Sequence, residues 1–127
     1  MRTNFNKQET FRLDSHLPDD KHPLEELLLQ LPLLTTIPSG HPDFPQTPPS
    51  LLRELQTNAD ASANALSHGM AAIGVLMAHS AVSIEDGSIG SDTVESLGWL
   101  LGELGVVAAY CLVLAAQCRH ALEAGPA

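Results

Sequence analysis

SDTVESLGWLLGELGVVAAYCLVLAAQCRHALEAG, residues 91–125, decides the fold. Leu97, Leu101, Leu104, Ala108, Cys111, Ala115, Cys118 and Leu122 recur at alternating short steps. That spacing holds them on one side of an α-helix as a heptad-type seam. Beside it runs a stripe of smaller residues: Gly98, Gly102, Gly105, Ala109, Leu112 and Ala116. Glycine inside a helix costs about 1 kcal/mol relative to alanine, so a glycine stripe makes sense where another helix approaches closely. A further set, Leu100, Val107, Tyr110 and Leu114, is also apolar. One neighbour covers one seam, and this helix therefore needs at least two. Asp92 with Glu95 reads as a capping box at its start, and Gly125-Pro126 as its stop.

The stretch 50–82 predicts a second long helix, entered through Pro48-Pro49 and capped by Thr47 or Ser50. Its seam is Leu52, Leu55, Ala59, Ser62, Leu66, Gly69, Ile73, Leu76 and Ser80. A neighbouring stripe of Ser67, Ala71, Gly74, Ala78 and Ala81 is small throughout, and no charged residue occurs over 61–84. The segment 84–90, IEDGSIG, is a turn. So short a link makes the two helices antiparallel neighbours.

Upstream, PLEELLLQLPLL (23–34) predicts a short helix with Pro23 at its first position, Glu25 and Glu26 facing the positive end of its dipole, and Pro32 ending it. Leu24, Leu27, Leu28 and Leu31 form its apolar stripe, either a lid over the long helices or a surface for a partner. Residues 35–49 hold five prolines and read as a semi-rigid strap, with Ile37 and Phe44 as anchors. Residues 1–22 mix charges and amides without period and read as a disordered tail. The expected organisation is thus a tail (1–22), a short helix and strap (23–49), and a helical hairpin domain (50–127).

Composition narrows the function. The chain has 127 residues and a formal net charge of −9, with only six Lys and Arg, scattered. Phosphate backbones are bound by clustered cations, so direct nucleic-acid binding is not expected. Cys111 and Cys118 lie two turns apart on one helix face, about 10 Å at 1.5 Å per residue. They are too distant to bridge each other, and a reduced, cytoplasmic setting fits. The N-terminal stretch MRTNFNKQETFRLDSH lacks the apolar run of a secretory signal.

No Ser-His-Asp order, phosphate loop, HExxH or CxxC is present. His16, Asp19, Asp20 and His22 are close in sequence but lack a defined ligand spacing. His68 and His79 share a helix face and are too far apart to chelate one ion. Glu103 is the single charge in the apolar middle of the last helix, and pairing with Arg53, Arg119 or a histidine is the ordinary expectation for it. No catalytic residue, cofactor or metal is expected.

The WLLGELGVVAAY run, with Trp99 and Glu103 in a W-x-x-x-E spacing, resembles small two-helix proteins of unknown function from proteobacterial genomes and prophages. The resemblance covers the last 60 residues or so and implies an all-α hairpin without a known activity. Acidic phage proteins of this kind can inhibit a host protein complex, which is one alternative function.

The fold expected is all-α, an antiparallel helical hairpin dimerising into a four-helix bundle, with an irregular Pro-rich arm. The function expected is a non-enzymatic interaction module, a small dimeric adaptor or modulator with an unidentified protein partner. Its expected interface comprises Gly98, Trp99, Gly102, Gly105, Ala109, Tyr110 and Leu112, with Leu27 and Leu28 of the arm. A two-span membrane hairpin is the other alternative. It is disfavoured by His68, His79, Asn64 and Glu103, and by acidic rather than basic flanks.

Overall fold

The computed structural model describes residues 22–125. The expected tail, with His16, Asp19 and Asp20, lies outside the described residues apart from His22. The described part is all-α: α1 (Pro23–Gln30), a 3-10 turn (Leu31–Leu33), α2 (Pro49–His79), the short α3 (Ala81–Glu85) and α4 (Ser91–Ala124). Helices α2 and α4 pack antiparallel, and α1 lies against the end of the pair where α2 begins and α4 finishes.

Helix boundaries follow local chemistry. Pro23 starts α1, and the last four residues of the expected 23–34 helix become the 3-10 turn and Leu34, because Pro32 removes a backbone donor. Helix α2 starts one residue early, at Pro49, with its amide-free nitrogen at the first position. Neither Thr47 nor Ser50 caps it. The Thr47 hydroxyl instead donates to the Asp43 carbonyl (2.8 Å) and accepts the Thr35 N–H (3.3 Å). That pins both ends of the strap. Thr47 is only 3% exposed. Thr47→Val, which keeps shape and removes the partner of two part-buried backbone groups, should therefore cost about 1 kcal/mol in urea unfolding. Within the strap, Thr36 pairs with Pro42 across a tight turn whose Gly40 has φ +87°. Phe44 packs onto the core, while Ile37 is 41% exposed and does not anchor the strap.

The expected 50–82 helix breaks at Ser80, whose hydroxyl donates to the Leu76 carbonyl (2.8 Å), a back-bond that favours bending. The chain then forms α3 and turns through Gly87 (φ +82°). The Asp86 carboxylate accepts the Ser88 hydroxyl and N–H, and these bonds, the hydroxyl first, hold its pKa below the usual value. The expected capping box of α4 is absent. Gly90 is the N-cap, in extended conformation, and no side chain caps the helix. Asp92 falls in the first turn, where it complements the dipole. The expected stop is present: Gly125 follows α4 with φ +74°.

The core is confined to one end. Leu52, Leu55, Ala59, Ser62 and Ala63 of α2 are buried, as are Ala108, Cys111, Ala115, Cys118 and Ala121 of α4, with Leu27 and Leu34 closing over them. Beyond Ala63 on α2 and before Ala108 on α4, no residue is buried. There the pair is two helices wide, and among the described residues no third element lies on either side.

The α4 seam keeps its predicted register from Leu97 to Cys118; in the last turn Ala121 is buried and the predicted Leu122 half-buried. The α2 seam does not. Gly69 and Leu76 are exposed, and Met70 and Met77 take the half-buried positions facing α4. A straight helix drifts by about 20° per heptad against a strict 3.5-residue repeat. Along α2 this moves every second inward position on by one residue, while Leu66, Ile73 and Ser80 stay half-buried as predicted.

Candidate functional site: the uncovered half of the helix pair

In an antiparallel pair, residues one position C-terminal to the seam fall on the same side of both helices. Asp60 and Arg119 each follow a seam residue, and they meet at 4.0 Å. Residues one position N-terminal to the seam fall on the opposite side, and that side carries α1. Gln30 of α1 bonds Glu54 (3.1 Å) and Asn58 (2.8 Å) there, and Val107 and Leu114 pack against the core beside α1. The pair therefore has an α1 side and a free side.

On the free side, the upper half presents Ser67, Ala71, Gly74 and Ala78 of α2 and Gly98, Gly102, Gly105 and Ala109 of α4. A Cβ built on Gly74, Gly98, Gly102 or Gly105 meets nothing within 4 Å. Larger apolar side chains flank this flat strip: Trp99 is 71% exposed, Leu112 58% and Val75 57%. Of the expected interface residues, Gly98, Trp99, Gly102, Ala109, Tyr110 and Leu112 are exposed on α4, and Gly105 is half-buried. Leu28 is exposed on α1. Leu27 is a correction. It is 3% exposed and belongs to the chain's own core, because the docking of α1 on the long helices turns that residue inward. The α1 surface that remains outward comprises Leu28, Leu29 and Leu33, a set for which the seam pattern gave only the first.

Between α1, the strap and α4 lies a cleft of about 440 Å³. Its walls are leucines, Phe44, Val107, Tyr110, Val113 and the Cys111 thiol, with Gln117 the one amide. Such a lining offers no nucleophile–base pair.

Cys111 and Cys118 are free thiols in the seam. Burial raises both pKa values, that of Cys118 to about 11. The folded state thus holds a proton that an unfolded thiol releases near pH 8.5. The contribution is fully present below that pH and is lost as pH rises toward about 11. The melting temperature should accordingly fall between about pH 9 and pH 11 more steeply for the parent chain than for Cys118→Ala, as followed by circular dichroism.

His68 and His79 are exposed on α2, and Glu103 is exposed on α4. Arg119 pairs with Asp60, not with Glu103. Among the described residues, no group of three or more His, Cys, Asp or Glu is arranged to hold a metal ion.

Helices α2 and α4 are each long and apolar enough to cross a membrane by length and composition, with only 11% and 17% of their most apolar windows buried. No protein-family model, curated protein or solved structure matches the chain.

Proposed function

We propose that the chain is a non-enzymatic interaction module whose helical hairpins pair into a four-helix bundle, and that the bundle holds or modulates another protein. One observation carries this reading: the upper half of the α2–α4 pair is apolar and no other part of the described chain covers it. An apolar strip of this size in water favours association, because burying it yields about 25 cal/mol per Å². The arm keeps a separate apolar surface in Leu28, Leu29 and Leu33, 59%, 68% and 64% exposed, for a second contact. A lipid surface suits the same strip less well. Asn64, His68, His79 and Glu103 stand exposed on that half, and each is costly in hydrocarbon.

The acidic alternative has an observation of its own. Between Arg53 and Arg119 there is no lysine or arginine, while Glu54, Asp60, Glu85, Asp86, Asp92, Glu95 and Glu103 all fall there. Sedimentation at about 0.05 and 0.5 M NaCl separates the two modes, since screening shortens the Debye length well below 10 Å at the higher salt. Association through the apolar strip is expected to persist or strengthen at high salt. Binding of a basic protein that is lost at high salt, with self-association absent, would transfer the role to the acidic surface.

A further inference from the structure

Resting on that reading, we infer that the occupant of the free side is a second copy of this chain, stacked face to face and antiparallel about a two-fold axis crossing the middle of the strip. Three observations carry this.

The first is area. The charge-free run of α2, residues 61–84, is about 36 Å long at 1.5 Å per residue. Two helices side by side are about 20 Å wide. The free side of the upper half therefore offers about 700 Å², close to the roughly 800 Å² per partner of a stable interface.

The second is charge. The free side carries Asp60 and Arg119 at its lower end and none higher up until the tip. Glu103 lies one position past Gly102, about 100° round the helix, and remains in water when the free side is covered. Stacking on the α1 side would instead set the two copies' Glu103 carboxylates near each other. The tip bears Glu85, Asp86, Asp92 and Glu95 and no cation. A parallel stack would put two such tips together. An antiparallel stack separates them by more than a Debye length and sets each level with the Asp60–Arg119 pair of the second copy.

The third is register. Ser67, Ala71, Gly74 and Ala78 are spaced four, three, four, and so are Gly98, Gly102, Gly105 and Ala109. Each run reads the same in both directions. Asp60 is level with Arg119, and Ile84 and Val94 line one cleft at the tip. The midpoints of the two runs are therefore level to within about one helical turn. A single two-fold axis passes through both midpoints. It sets α2 on α2 and α4 on α4, with Ala71 opposite Gly74, Ser67 opposite Ala78 and Gly102 opposite Gly105 of the second copy. Small residues at every crossing allow close backbone approach.

The test is disulfide trapping in the full-length chain, with the mass measured by light scattering. The near-isosteric pair Ser67→Cys/Ala78→Cys should oxidise to a covalent dimer. Ser67→Cys/Ala109→Cys, which meet across copies only in a parallel stack, should not. The parent chain, whose own thiols are buried, serves as the control. Trapping of the second pair alone overturns the antiparallel arrangement. A dimer mass with neither pair trapped overturns the choice of face and leaves the association reading intact. A monomer mass overturns both.

Discussion

Leu55→Ala is expected to lower the unfolding free energy by about 2–5 kcal/mol, the usual cost of a cavity at a site that cannot collapse. Leu55 is 0% exposed and lies where α1, α2 and α4 converge. Ala59, one turn along the same helix face, is also fully buried and too small to swing in and fill the space. Small domains hold roughly 5–15 kcal/mol in total, and the loss would take a large share of it. Urea unfolding followed by circular dichroism measures the change, and a shift below about 1 kcal/mol would mean that the core is not centred there. Leu76 is the contrast. It is 66% exposed, and its truncation should leave the stability of the single chain nearly unchanged.

Gly102→Leu should act in the opposite sense on the chain and on its assembly. No neighbouring atom lies within 4 Å of the position a Cβ would occupy, so the single chain accommodates the larger side chain. Its helix should gain close to 1 kcal/mol from the better propensity of leucine. Across the proposed two-fold axis the same side chain would meet Gly105 of the second copy and hold the backbones apart. The expected result is full helicity with the mass of one chain by light scattering. An unchanged oligomer would move the contact off the free side.

These two effects reflect how differently the two halves of the pair were written in the sequence. Near the arm, the seam from Leu52 to Ser62 was legible because polar residues flank it, and from Ala108 to Cys118 because its four-and-three spacing continues unbroken beside the other apolar stripes. The stop at Gly125 was legible because one residue type answers one backbone requirement, φ above zero. The drift of the α2 seam to Met70 and Met77 was not. Leu76 and Met77 are adjacent and both apolar, and a fixed repeat chooses between them wrongly once the helix runs straight. Thr47 and Asp92 have side chains suited to capping, but the backbone placed them off the cap. At the first site proline already fills the helix entry, and at the second the extended Gly90 does. Leu27 and Leu28 are adjacent on one helix and point to opposite fates, a distinction set by where α1 docks rather than by its composition. The glycine stripe was visible from spacing alone. That it shares a side with the small residues of α2 follows from the antiparallel packing, and the Asp60–Arg119 pair fixes which side.

Size-exclusion chromatography with light scattering, in buffer without detergent, tests the central claim most directly. The account predicts a single species of about twice the 13.5 kDa chain mass. A monodisperse species at the mass of one chain, or a chain recovered only in detergent, would contradict it.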